Sequence, residues 1–219
     1  MRKTIHLSGV FFVVFFLFIF LLFPYSFAEN RKLTAVDWFH KADALLAGGK
    51  FTDPKKVIEY LNNAIKLKPD YAMAYNKRGA AYAELGQHQR AIADYNESIR
   101  LNPDLAAVYN NRGSSYGKLG QYQHAMEDCS MAIQLKPDYA VAYYNRGSAY
   151  EKLGQYQRAI KDFNEVIRLK PDYAVAYTNR GIAYFHQEDN KLGCRDAQKA
   201  CAWGSCKLLD ITKGEGLCR

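Results

Sequence analysis

Histidine is scarce and scattered. The five residues His6, His40, His88, His124 and His186 include no two standing four apart, the spacing a helical metal pair requires. No GxSxG, HExxH or glycine-rich phosphate loop occurs. A catalytic role therefore has no candidate residues, and neither a metal nor a cofactor is expected. Acidic residues are missing before Glu29, and no block of five or more like charges occurs anywhere. With Arg2 and Lys3 set aside, 28 basic side chains stand against 22 acidic ones, a mild surplus spread along the chain. Nucleic acid is not an expected partner, because a basic patch or stripe is its electrostatic footprint.

Only one long apolar run is present, and it opens the chain. Arg2 and Lys3 precede a stretch from Leu7 to Phe23 that is apolar except for Ser8 and Gly9. Ser26 and Ala28 then place small residues at the −3 and −1 sites of a cut after Ala28. No cysteine follows the run directly, which excludes a lipoprotein anchor. Residues 1–28 read as a signal peptide or an uncleaved membrane anchor, the run being close to the ~18-residue minimum for a span. Either way the remainder is expected outside the cytoplasm, with membrane contact only through this segment.

The remainder repeats with a period of 34. Units at 72–105, 106–139, 140–173 and 174–204 carry Tyr75, Tyr109, Tyr143 and Tyr177 at position 4. Gly79, Gly113, Gly147 and Gly181 stand at position 8, and Tyr82, Tyr116, Tyr150 and Tyr184 at position 11. These spacings define one face of a helix. Leu85-Gly86, Leu119-Gly120 and Leu153-Gly154 end that helix with a glycine stop. A second helix carries Ala91, Ala125 and Ala159 at position 20 and ends at Pro103, Pro137 and Pro171. Each unit is thus a helix–turn–helix that needs a neighbour to cover its apolar face.

Segment 35–71 is a divergent first unit, with Trp38 at position 4, a longer turn over 47–54 and a second helix over 55–68 that ends at Pro69. In the last unit Gly193 and Ala197 replace the usual alanine and aromatic. Arg78, Arg112, Arg146 and Arg180 at position 7 are expected to pair with Asp94, Asp128, Asp162 and Asp196 at position 23, at the same height across an antiparallel helix pair.

The pattern Tyr/Trp-x3-Gly-x2-Tyr…Ala…Tyr/Phe…Pro resembles the tetratricopeptide repeat. Its "Asn-Arg-Gly" and "Leu-Gly-Gln-Tyr" forms resemble those of exported bacterial members. The resemblance implies an all-α, right-handed αα solenoid of about five repeats, whose first helices line a concave wall that binds peptides.

Two motifs of that family bear on the wall. The clamp that holds acidic chaperone tails uses lysine at position 5 and asparagine at position 9. Here position 5 reads Asn76, Asn110, Tyr144 and Thr178, and position 9 reads Ala80, Ser114, Ser148 and Ile182, so that mode is not expected. The asparagine ladder of the O-linked N-acetylglucosamine transferase superhelix uses position 6, where this chain has Asn111, Asn145 and Asn179. By that resemblance the three amides form a row pairing with an extended peptide, refined by Asn76, Asn110, Tyr144, Lys118 and Lys152. They are expected to face the groove and to contribute little to folding.

Four of the five cysteines lie in the last 26 residues. In an exported chain this density reads as disulfides, with a four-cysteine zinc site as the rival. Cys194 and Cys201 are about 10 Å apart by helical rise, beyond the ~7 Å limit for a bridge. A turn at Gly204-Ser205 followed by a helix over 206–213, capped by Ser205 and ended by Gly214, brings Cys206 back to Cys201 and Cys218 to Cys194. The expected pairs are Cys201–Cys206 and Cys194–Cys218, stapling the segment 205–219 as a cap. Cys129, at position 24 where neighbours have Tyr95 and Phe163, is expected to be a buried thiol.

The function expected is a monomeric scaffold that binds a protein or peptide in the bacterial envelope, most plainly the periplasm. The alternative is a regulator or assembly factor of a cell-wall enzyme, or a weak hydrolase of the cysteine-rich repeat type.

Overall fold

The computed structural model describes residues 32–218. The chain divides after Thr34, and Ala35–Arg219 is the unit described below. The expected leader, 1–28, with its cut after Ala28, lies outside the described residues.

Among the described residues the backbone is almost entirely helical, in antiparallel pairs. The pairs are α1 (Ala35–Asp43) with α2 (Pro54–Leu67), α3 (Ala72–Glu84) with α4 (His88–Leu101), α5 (Ala106–Lys118) with α6 (Tyr122–Leu135), α7 (Ala140–Lys152) with α8 (Tyr156–Leu169), and α9 (Ala174–Phe185) with α10 (Asn190–Ala202). A final helix, α11 (Lys207–Gly214), packs on α10. Each second helix also packs on the next pair's first helix, and the first helices α3, α5, α7 and α9 touch in series. The result is an all-α solenoid with one continuous face built from first helices. No described helix is long and apolar enough to cross a membrane.

The glycine at position 8 sets how closely each pair packs. A Cβ on Gly79 would stand 2.7 Å from the Tyr95 ring, and one on Gly147 would stand 2.9 Å from the Phe163 ring. The aromatic at position 24 of α4 and α8 occupies the volume that a side chain at position 8 would need. Tyr95 and Phe163 are accordingly among the largest fully buried side chains. In the middle pair Cys129 fills the same place and is 0% exposed. Burial pushes its thiol up to about 12, so it stays protonated and inert.

The expected Arg–Asp pairs form in all four units, as two-pronged forks. Arg112 donates through Nε to Asp128 Oδ2 at 2.8 Å and through Nη2 to Oδ1 at 2.6 Å. Arg78 grips Asp94, Arg146 grips Asp162 and Arg180 grips Asp196 in the same way. The bonds to Asp128 and Asp162 outweigh burial and hold Arg112 and Arg146 charged. A third prong, absent from the sequence reading, reaches the preceding unit. Nη1 donates to Asn62 from Arg78, to Asn96 from Arg112, to Ser130 from Arg146 and to Asn164 from Arg180. Each arginine therefore fixes its own helix pair and the junction behind it.

The end units differ from the expectations in detail. The turn of the first unit spans the whole interval between Asp43 and Pro54 and holds a two-stranded hairpin. β1 (Leu46–Ala47) pairs antiparallel with β2 (Lys50–Phe51), Leu46 opposite Phe51. Gly48 and Gly49 make the two-residue turn with φ of +56° and +81°, a combination glycine adopts without strain. The second helix starts at Pro54, whose missing N–H is an orphan at a helix start in any case, and Asp53 caps it. At the other end α11 begins at Lys207, and Ser205 does not cap it; the Ser205 hydroxyl meets the Thr178 hydroxyl at 3.3 Å instead. The substitutions in α10 compensate one another. Gly193 leaves room for the Phe185 ring, which a Cβ there would approach to 2.7 Å, and Leu208 of α11 lies against Gly181, where Ala197 is too small to reach. Leu208 and Leu209 close the last cluster with Ala197, Cys194 and Cys201.

One position is strained. The glycine stop at position 15 has φ of +72° at Gly86, +74° at Gly120 and +71° at Gly154, and Glu188 holds the same place at +62°. The closing bond is kept, since Asp189 N–H reaches Tyr184 O at 3.0 Å just as Gln155 N–H reaches Tyr150 O at 2.8 Å. A side chain in the left-handed region costs about 1–2 kcal/mol, against about 0.5–1 kcal/mol of extra chain entropy lost by glycine. Glu188→Gly is therefore expected to stabilise the protein by about 0.5–1 kcal/mol, read as a rise in the urea unfolding midpoint with unchanged slope.

Candidate functional site

The candidate site is the face built by α3, α5, α7 and α9. Its central row is not a set of free amides. Asn111 Nδ2 donates to Asn76 Oδ1 at 3.2 Å, Asn145 Nδ2 to Asn110 Oδ1 at 2.9 Å, and Asn179 Nδ2 to the Tyr144 hydroxyl at 3.2 Å. In each case position 6 of one unit reaches position 5 of the unit before it. The row continues at both ends. Lys77, at position 6 of its unit, pairs with Asp43 of the first unit, and Thr178 meets Ser205.

This corrects the sequence reading in two respects. Asn110 is 4% exposed and buried between helices, so it supports the wall and does not contact a ligand. Asn111, Asn145 and Asn179 each commit one amide hydrogen to a neighbouring unit, so they are framework groups as well as groove groups. The second amide hydrogen and the carbonyl oxygen are what each can still offer. Asn76, Tyr144, Asn145, Asn111 and Asn179 are half-buried on the face, and Lys118 and Lys152 are exposed beside it.

Position 13 supplies the charge along the edge of the face, and its members differ. The Glu84 carboxylate accepts the Phe51 N–H at 3.1 and 3.2 Å, anchoring the hairpin. His186 stacks on Tyr156 with ring centroids 4.5 Å apart. Lys152 Nζ lies 3.4 Å from Glu151 Oε1. Lys118 has no ion pair among the described residues.

Between α5 and α7 the face opens into a cleft of about 260 Å³. Gly117, Lys118, Tyr122, Asn145, Ser148 and Lys152 are among its lining residues. Two of them, Gly117 and Ser148, hold wall positions 12 and 9 in the sequence without being among the expected contacts, and Gly117 stands out because position 12 holds Ala83, Glu151 and Phe185 in the other full units. Tyr122, on the second helix of its unit, carried no signal. The Ser148 hydroxyl oxygen is buried and has no hydrogen-bond partner among the described residues, although a hydroxyl in a helix has the carbonyl one turn back within reach.

The C-terminal sulfurs lie away from this cleft. Cys194 and Cys218 stand at disulfide distance with Cα atoms 5.5 Å apart, and Cys201 and Cys206 with Cα atoms 3.9 Å apart. They meet as two pairs, and among the described residues no cluster of three or more His, Cys, Asp or Glu could hold a metal ion.

The family model for the tetratricopeptide repeat matches residues 106–139 and 140–173, a second model of that description matches 60–93, and one described as TPR repeat matches 81–120. No curated protein sequence matches the chain. Among solved structures the chain is similar to MamA from Desulfovibrio magneticus RS-1, at 21% identity and a TM-score of 0.70 over 79% of this chain and 96% of that one. It is similar to YrrB, described as a TPR protein with an unusual peptide-binding site, at 20% identity and a TM-score of 0.69 over 89% of this chain and 98% of that one. The second TPR domain of human RPAP3, solved with the HSP70 peptide SGPTIEEVD, is 32% identical with a TM-score of 0.50 over 51% of this chain and 93% of that one.

The amide row makes a stability forecast. Replacing Asn111, Asn145 and Asn179 together by alanine removes three bonds between units, each worth about 0.5–1.5 kcal/mol net. Urea unfolding of the triple variant is expected to show a loss of about 2–4 kcal/mol, and a variant as stable as the parent would show that the row stitches nothing.

Proposed function

Because the chain belongs to the tetratricopeptide repeat family, we propose that the face of α3, α5, α7 and α9 binds an extended peptide segment of a partner protein, outside the cytoplasm in the bacterial envelope. The observation that carries the reading is the cleft between α5 and α7, where an unpartnered buried hydroxyl, a half-used amide and two lysines converge. A peptide backbone carries a donor and an acceptor at every residue, and the remaining hydrogens and oxygens of Asn111, Asn145 and Asn179 match that need without reading side chains. The RPAP3 domain, a TPR domain solved with a peptide, supports a peptide as the ligand. The clamp chemistry does not carry over, because position 5 holds Asn76, Asn110, Tyr144 and Thr178 instead of lysine.

A photo-reactive side chain separates this face from the rest of the surface. Placed at Ser114, exposed on α5, it is expected to cross-link to the partner in living cells; placed at Glu127, exposed on α6, it is not. Equal cross-linking from both sites would sink the groove reading.

The export reading is supported by the signal-like sequence of residues 1–28 and by the paired sulfurs of the last helix hairpin, since disulfides persist in oxidising compartments. Protein purified from the envelope and unfolded without reductant is expected to expose one reactive thiol, that of Cys129, out of five cysteines. The native protein is expected to expose none, because burial holds that thiol protonated. Five thiols on unfolding would place the chain in a reducing compartment.

A further inference from the structure

Gly117 has no packing reason to be glycine. A Cβ on Gly113, one turn earlier, would meet Cys129 Sγ at 3.0 Å and Ala125 O at 3.1 Å, so that glycine is dictated by the helix behind it. A Cβ on Gly117 would meet only Ala125 Cβ at 3.9 Å, an ordinary contact. Its φ is helical and makes no demand either. A glycine inside a helix weakens it relative to alanine, and here the backbone gains only open volume on the solvent side. At the same position of the next unit stands Glu151, whose side chain turns to Lys152.

The groups around that volume have one sense of complementarity. Lys118 and Lys152 bring two ammonium groups to it, and among the described residues only Lys152 of the two has an ion pair, with Glu151 at 3.4 Å. Ser148 lines the cleft with a hydroxyl that is buried and unbonded where it stands, so turning it about the Cα–Cβ bond toward the cleft breaks no hydrogen bond. Asn145 keeps one amide hydrogen after its bond to Asn110. All four can donate a hydrogen bond, and the uncompensated charge is positive. Donors gathered around a partly desolvated pocket favour an anion with several acceptor oxygens.

Building on the peptide-binding reading, we propose that this cleft is a subsite for an acidic side chain of the bound segment. The carboxylate of a glutamate or aspartate sits between Lys118 and Lys152, accepts from the Ser148 hydroxyl and the Asn145 amide, and uses the space that Gly117 leaves. The subsite differs from the lysine and asparagine clamp of acidic chaperone tails in position: its lysines stand at 13 and its asparagine at 6, where the clamp has lysine at 5 and asparagine at 9, and position 9 here is serine. It reads one acidic side chain within a segment and not a chain terminus.

Selection from a random twelve-residue peptide library displayed on phage, with residues 29–219 as bait, tests both levels. Enriched peptides are expected to share an acidic residue at one register. A synthetic copy of an enriched peptide is expected to lose at least tenfold in affinity when that glutamate becomes glutamine. The same peptide change is expected to cost less than threefold against Lys118→Gln/Lys152→Gln, a coupling that a general charge effect at a distance does not produce. Ser148→Ala removes an unbonded hydroxyl, so it is expected to keep the parent's unfolding temperature while weakening the glutamate peptide and sparing the glutamine one. Enriched peptides without a shared acidic residue, or an equal cost of the glutamine change on parent and lysine variant, would overturn the subsite and leave the groove standing. No enrichment above an unrelated helical bait would overturn the groove and the subsite together.

Discussion

The repeating structure depends on one ion pair placed where two helices of a unit cross. Arg78, Arg112, Arg146 and Arg180 are each about four-fifths shielded, and their aspartate partners are shielded further still. Two charges out of water are expensive, and the cost is offset only when geometry is good and the remaining hydrogens find acceptors. Both conditions hold. The fork uses Nε and Nη2 on the aspartate, and Nη1 is taken by an asparagine or serine of the unit before. A helix pair that slid or rotated by one residue would lose the fork, and a neighbour that shifted would lose the third bond. The network thus sets the angle within a unit and the step between units with the same side chain, which is why it recurs without exception through the four regular units.

The ends show how the array stops. An internal unit has a neighbour on both sides, and the end units differ in how they close. At the start, the hairpin of Leu46–Ala47 and Lys50–Phe51 ties the first unit to the second: Phe51 is buried in the core cluster they share and hands its N–H to Glu84, while Asp43 takes the bond from Lys77. At the finish, α11 lays Leu208 over Gly181, and Ser205 supplies Thr178 with the partner that a further unit would give. Two sulfur pairs then tie that short helix to α10. An eight-residue helix is marginal alone in water, so its order comes from these contacts. The candidate face inherits its shape from the same devices, since one side-chain bond crosses each junction from Asp43–Lys77 to Thr178–Ser205.

Most of the fold was legible in the sequence because its determinants are local or periodic. The tyrosines and glycines at 4, 8 and 11, the Leu-Gly stop and the Pro-Asp break each act within one helix turn, and a period of 34 repeats the helix face four times and the Leu-Gly stop three times. The Arg–Asp pairing was legible too, because helix rise alone puts positions 7 and 23 at one height. What stayed hidden needed a neighbour. The third bond of each arginine, the use of Asn110 as a buried support, and the bonding of Asn111, Asn145 and Asn179 back to position 5 all cross a unit boundary. No spacing inside one unit encodes how the next is rotated. Ser205 belongs here too: its hydroxyl meets Thr178 of the preceding helix pair, a partner that no local spacing announces. The sequence by itself determined the order of the helices and where the regular ones stop, because those follow from backbone preference and side-chain period. Only the tertiary structure decided which amides are spent on stitching and where the face is open, because the cleft at Gly117 exists only once α7 stands beside α5.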